Sequence, residues 1–197
     1  MADMSHWEQC VLNCSDCPLC ATHTQVVCGN RNYDATIALI GEAPGREEDR
    51  LGTPFAGSAG AVLDQFLADS GIDRRKLYIT NTVKCRPYTP TEKGGRNRKP
   101  KKSEIDACKP FLMAEMLVIE PQLIVTLGAT PLSVVMDSKL PKMEDEHGRL
   151  RRWDLVGGIE VFPLYHPAAL IYDRSKTAAY RQDMENLRLL LTQRGLI

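Results

Sequence analysis

Seven cysteines in a chain of 197 residues are the first residues able to do chemistry. Cys10, Cys14, Cys17 and Cys20 crowd together near the start, and Cys28, Cys85 and Cys108 follow at wide spacing. The opening MADMSHWEQC has neither the basic start nor the apolar run of a secretory signal, so the expected compartment is the cytoplasm, where thiols stay reduced. Disulfides are then a poor use for an odd number of cysteines, and metal or cluster ligation is the better one. Four thiolates suit tetrahedral zinc and a [4Fe–4S] cluster equally, and Cys14-x-x-Cys17 competes with Cys17-x-x-Cys20 for the same spacing.

A second group of residues becomes chemical only once the elements that carry it are placed. Four short apolar runs, Thr36–Ile40, Leu77–Thr80, Leu123–Leu127 and Ile159–Leu164, read as buried parallel strands. Between them lie helical patterns. One carries Val62, Leu63, Phe66 and Leu67 and stops at Gly71. A second opens at Ser103 and Glu104 and bears Ile105, Leu112, Met116 and Leu117. A third runs from Thr177 to Leu191 with Met184, Leu187 and Leu191 on one face. The pattern predicts one α/β domain over residues 1–197, a parallel sheet with helices on both faces. Residues 1–30 form a cysteine-bearing appendage to it, and residues 88–102 a basic insertion.

Ligands of an open parallel sheet collect beyond the carboxyl ends of its strands. There the sequence puts Gly41-Glu42-Ala43-Pro44-Gly45 after the first strand, Asn81 after the second, Gly128-Ala129 after the third and His166-Pro167-Ala168 after the fourth. Glycines, an amide and an imidazole thus converge on one edge.

Composition narrows the partners. A hydrophobic share of 43% supports a buried core, and no apolar run is long enough to span a membrane. Lys and Arg balance Asp and Glu at 25 each, yet eight of the cations fall between Lys84 and Lys102 against the single Glu92. This segment is either a solvated loop or a phosphate-binding patch.

The segments GEAPGREED, Pro54-Phe55-Ala56-Gly57, YITNTVKCRP, DACKPFL, TLGA and YHPAAL resemble those of the family 4, iron–sulfur-containing uracil-DNA glycosylases, over nearly the whole chain. The resemblance implies a three-layer αβα sandwich on a four-stranded parallel sheet. It also implies a [4Fe–4S] cofactor held by Cys14, Cys17, Cys85 and Cys108, and a monomer that excises uracil from DNA by base flipping, leaving an abasic site. In this reading Phe55 is the stacking platform, Asn81 reads the uracil edge, and His166 points at uracil O2, assisted by the backbone N–H of Ala43. Ala43 stands where related enzymes often carry Asp or Asn, so Glu42 is the candidate for positioning water or supporting the sugar. Glu48 is a second acid, with exclusion of the thymine methyl as another task. Backbone N–H groups at Gly57, Ser58 and Gly60 could hold a phosphate, as could Arg96, Arg98, Lys99, Lys101 and Lys102. The insertion from Lys93 to Lys102 resembles the basic loop of related proteins that trap their product through a loop histidine. It contains no histidine, so ordinary turnover is expected over the alternative of a non-catalytic or product-trapping uracil-DNA-binding protein.

Overall fold

The computed structural model of the chain describes residues 4–92, 95–153 and 158–197. Residues 1–3 of the appendage, and Lys93 and Gly94 of the basic insertion, lie outside the described residues.

In chain order the elements are α1 (Met4–Leu12), β1 (Ile37–Gly41), α2 (Arg46–Leu51), α3 (Ser58–Asp69), β2 (Leu77–Asn81), β3 (Tyr88–Thr89), β4 (Arg96–Asn97), α4 (Lys102–Ile119), β5 (Leu123–Leu127), α5 (Ala129–Val135), α6 (Met143–Glu146), β6 (Arg151–Trp153), β7 (Ile159–Leu164), α7 (Pro167–Tyr172) and α8 (Thr177–Gln193). The main sheet has the order β2-β1-β5-β7-β6. Its first four strands are the parallel strands expected. To these the structure adds a fifth, since β6 pairs antiparallel with β7 at the edge.

Each parallel strand divides its side chains between two cores, because successive residues point to opposite faces. Ile37, Leu39, Leu77, Ile79, Leu123, Val125, Leu127, Phe162 and Leu164 pack with Leu63 and Phe66 of α3 and Met184 and Leu187 of α8. Ala38, Ile40, Tyr78, Ile124 and Val161 pack on the other side with Leu112 and Met116 of α4 and Leu132 and Val135 of α5. Two cores separated by one sheet make three layers, αβα. Leu117, expected with the buried face of α4, is exposed instead; Leu112, Met116 and Ile119 carry that face.

The appendage docks through a small core of its own. Trp7 and Val11, one turn apart on α1, pack with Cys28, Val26, Phe111 and Ala114, and Trp7 Nε1 donates to the Phe111 carbonyl at 3.0 Å. The following segment seals the open edge of β2: Asn30 accepts from and donates to Ile79 and donates to the Leu77 carbonyl. Buried Asp49 of α2 accepts from the backbone N–H groups of Thr24 and Gln25, tying the segment to that helix. Among the described residues no helix is long and apolar enough to cross a membrane.

Candidate active site

Strand β1 ends at Gly41, and the two side chains nearest to it are Asn81 and Phe55. A β-carbon on Gly41 would lie 2.3 Å from Asn81 Oδ1 and 2.6 Å from Phe55 Cζ, so only glycine lets the amide and the ring close over the strand end. Phe55 is held with φ +54°, a left-handed conformation that costs a non-glycine residue energy and marks a position fixed by its surroundings. Its ring stacks on His166, centroids 6.2 Å apart and planes 29° apart. Residues distant in sequence therefore meet at one sheet edge. The cluster is packed rather than open, with Phe55 6% and Asn81 3% exposed.

His166 follows β7 and caps α7. Its Nδ1 accepts from the Ala168 N–H at 3.1 Å, which in the neutral ring leaves the proton on Nε2 and makes that nitrogen a donor. Burial holds its pKa down at about 4, against an ordinary value near 6.5. Gly128, with φ +95°, passes the histidine so closely that a β-carbon there would sit 3.2 Å from His166 Cβ.

Glu42 comes off β1 toward α5, where Thr130 Oγ1 donates to Glu42 Oε2 at 2.6 Å. Thr130 had no sequence signal; its partner is 88 residues away. Glu42 Oε1 and the Ala43 backbone N–H have no protein partner among the described residues.

Glu48, the second acid of the sequence reading, is held by backbone donors. One carboxylate oxygen accepts from the Gly45 N–H at 3.0 Å and the other from the Gly57 N–H at 2.8 Å, and the residue is 8% exposed. Its charge braces the loop between α2 and α3. The same contact occupies the Gly57 N–H expected to meet a phosphate, whereas the Ser58 N–H at the start of α3 has no partner among the described residues. Replacing Glu48 by alanine strands two partly buried donors, at roughly 2–4 kcal/mol in all, and is expected to lower Tm by about 10 °C in a thermal melt.

The basic insertion is sorted by structure in a way charge counting does not reach. Lys84 and Arg86 are buried. Arg86 donates to Asn97 Oδ1 and the Gly95 carbonyl and lies over the Tyr88 ring, fixing the β3–β4 hairpin. Arg98 is also committed, in a two-pronged bond to buried Glu104 at 2.8 and 2.6 Å, and Lys102 pairs with Asp106. Arg96, Lys99 and Lys101 are exposed and have no acidic partner among the described residues. Asn97 brings the hairpin against the Gly45 turn, its Nδ2 being 3.2 Å from where a β-carbon on Gly45 would stand.

Five cysteines, Cys14, Cys17, Cys20, Cys85 and Cys108, line one pocket with Val11, Val83, Ala107 and Phe111. About 350 Å³ of space lies within it, part of it open to solvent. Burial and the neighbouring sulfurs push the Cys85 thiol up to about 12, and burial raises Cys108 and Cys14 as well. Deprotonated, such sulfurs need a cation among them, and the donor set suits a thiophilic metal group. The Lys84 backbone N–H donates to Cys108 Sγ at 3.4 Å, the kind of bond that stabilises a ligating thiolate. Among the described residues no three His, Cys, Asp or Glu side chains are grouped closely enough to hold a single ion. Cys10 is exposed, and buried Cys28 belongs to the core under α1.

A model of the Uracil DNA glycosylase superfamily matches residues 28–188. The chain belongs to this superfamily. It is 40% identical over 187 residues to the Type-4 uracil-DNA glycosylase of Thermotoga maritima, covering 94% of this chain and 93% of that protein. The Type-4 uracil-DNA glycosylase of Saccharolobus solfataricus is 35% identical over 191 residues, 94% of this chain and 85% of that protein. The Type-5 uracil-DNA glycosylase of Pyrobaculum aerophilum is more distant, 25% identical over 193 residues, 81% of this chain and 80% of that protein. Within a superfamily domain that begins at residue 28, the sheet edge bearing Gly41, Asn81 and His166 lies inside the matched region, and Cys14 and Cys17 precede it.

Proposed function

We propose that this chain is a DNA repair hydrolase that cleaves the N-glycosidic bond of deoxyuridine in DNA, releasing uracil and leaving an abasic site. The observation that carries the proposal is the meeting of Phe55 and Asn81 over Gly41, with His166 stacked on the Phe55 ring.

A base inside a duplex is out of reach, so the nucleotide must be rotated out at a cost of a few kcal/mol of unstacking, offset by stacking on Phe55 and by edge contacts. Asn81 supplies those contacts. Its carboxamide accepts from uracil N3–H and donates to O4, whereas cytosine offers the opposite pattern at both atoms. Bond cleavage leaves negative charge on uracil O2 and positive charge on the sugar. His166 Nε2–H, kept neutral and oriented by its Nδ1 bond, is a preorganised donor to O2, and the Ala43 N–H is a second. Glu42, steadied by Thr130, positions the attacking water or supports the sugar cation with its remaining oxygen.

Cys14, Cys17, Cys85 and Cys108 hold a [4Fe–4S] cluster in this reading. Bound there, it supplies a cross-link and no electrons, because glycosidic hydrolysis is redox-neutral. The four ligands join the appendage of residues 1–30 to both ends of the basic segment, so residues 1–197 work as one domain, and a monomer is the expected state. The cytoplasm, which keeps thiols reduced, fits that ligand set.

A uracil-containing oligonucleotide tests the activity directly: alkali-labile abasic sites are expected at the uracil position, and their absence at every salt concentration overturns the proposal. DNA affinity tests the basic hairpin. Arg96→Ala, Lys99→Ala and Lys101→Ala are each expected to flatten the logarithmic salt dependence of binding by ~0.9. Arg98→Ala is expected to leave that slope unchanged and to lower Tm, since it strands the buried Glu104 carboxylate. Salt titrations and thermal melts separate the two outcomes.

A further inference from the structure

Between the pocket of sulfurs and the Phe55–Asn81–His166 cluster lies a buried ion pair that the chemistry above leaves unused. Lys84 and Glu115 of α4 meet at 2.6 Å with side chains 1% and 0% exposed. Burying two charges costs desolvation that an apolar pair of the same volume avoids, so the arrangement calls for a reason in what it holds. Lys84 Nζ donates to three oxygens: Glu115 Oε2, Thr80 Oγ1 at 2.7 Å and the Asn81 main-chain carbonyl at 2.8 Å. Glu115 in turn accepts from Tyr78 Oη at 2.6 Å and from Thr80 Oγ1 at 3.0 Å.

The topology explains why Asn81 needs the third bond. Strand β2 is the edge of the sheet, with β1 on one side only. The alternate residues Leu77, Ile79 and Asn81 turn their main-chain groups outward. Asn30 satisfies the first two, and Lys84 Nζ reaches the last. At its other end the same residue is pinned by its own N–H to Cys108 Sγ and by its carbonyl, which accepts from the Val27 N–H at 2.8 Å.

We propose that Lys84, held by Glu115, is the positioning residue for base recognition: it fixes the Asn81 main chain at an otherwise open strand edge and so sets where the Asn81 carboxamide meets the flipped base. The proposal rests on the reading of Asn81 as the residue that contacts uracil. A misplacement of about 1 Å at such a contact costs on the order of 100-fold in rate.

The test uses the iron-loaded protein and four variants. Lys84→Met strands the Glu115 carboxylate and is expected to lower both Tm and kcat. The double variant Lys84→Met/Glu115→Gln removes both charges and keeps an amide oxygen to accept from Tyr78 Oη and Thr80 Oγ1, but not the bond to the Asn81 carbonyl. It is expected to regain most of the lost Tm and to keep its visible absorption and wild-type affinity for undamaged DNA, while single-turnover uracil excision stays about 100-fold down. Recovery of excision together with Tm means that the pair is merely structural and overturns the proposal. If neither variant retains iron, Glu115→Gln, which weakens the hold on Lys84 Nζ without changing shape, carries the same readouts: a fall in excision at unchanged absorption supports the proposal, and unchanged excision overturns it. Asn81→Ala runs alongside. Wild-type excision in that variant would mean that the assignment of Asn81 fails and the role of Lys84 with it, whereas slowed excision there beside wild-type excision in the double variant would mean that the role of Lys84 alone fails.

Discussion

Replacing His166 with alanine is expected to slow uracil excision by ~10²–10³-fold with little change in DNA affinity, because one preorganised donor to a developing oxyanion contributes about that much. The residue is built as a neutral donor. The Ala168 N–H occupies Nδ1 and burial lowers the pKa to about 4, so Nε2 carries the proton throughout the physiological range. The contribution expected of His166 to the rate is therefore flat from about pH 6 upward. Acid has a separate cost in stability. Between the unfolded value near 6.5 and the folded value of about 4 the unfolded chain binds the extra proton, so stability from this group is present above 6.5 and falls as pH drops through that window. The full loss is roughly 3 kcal/mol, complete below about pH 4. Urea midpoints measured from pH 7 to 4 are expected to fall less steeply for His166→Asn than for wild type. Parallel curves would mean that the imidazole is not held neutral by its surroundings.

Replacing Cys85 or Cys108 with alanine is expected to abolish iron binding and the broad absorption near ~400 nm that accompanies a cluster, and to lower Tm by about 10 °C. Cross-links that close loops of tens of residues contribute ~3–5 kcal/mol, and a chain of this size loses about 2–4 °C per kcal/mol. The same outcome is expected for Cys14 and Cys17. Cys10→Ala and Cys28→Ala are expected to keep the colour, because Cys10 is exposed and Cys28 is packed with Trp7 and Val11. Cys20 is the discriminating position, since it lines the same pocket. With Cys14 and Cys17 as ligands, Cys20→Ala stays brown and Cys14→Ala does not. Iron determination beside the absorption spectrum checks each variant, and a colourless wild type would point to zinc.

The four parallel strands could be read from sequence because each is a short apolar run closed by a polar or glycine residue, and a buried parallel strand has no other pattern. Arg151–Trp153 had no such pattern: it is three residues long, sits on the sheet edge, and only Trp153 is buried. Helix α1 was likewise invisible, since among the described side chains of the helix only Trp7 and Val11 are buried. The placing of Asn81 and His166 at strand ends could be read because each follows directly on an apolar run. Their supports could not. Thr130 with Glu42, Glu115 with Lys84 and Glu104 with Arg98 are pairs made by tertiary packing. Charge alone gave Glu48, Arg98 and Lys84 the same solvated appearance as Arg96 or Lys99, and burial separates them.

The proposed chemistry needs one pyrimidine site shared by three side chains from three parts of the chain. A crystal structure of the His166→Ala variant bound to a uracil-containing oligonucleotide examines it most directly. The uracil is expected outside the helix, its ring face on Phe55 and its N3–O4 edge within hydrogen-bonding distance of the Asn81 carboxamide. A uracil that remains stacked in the duplex, or that lodges in a cavity touching neither Phe55 nor Asn81, would contradict it.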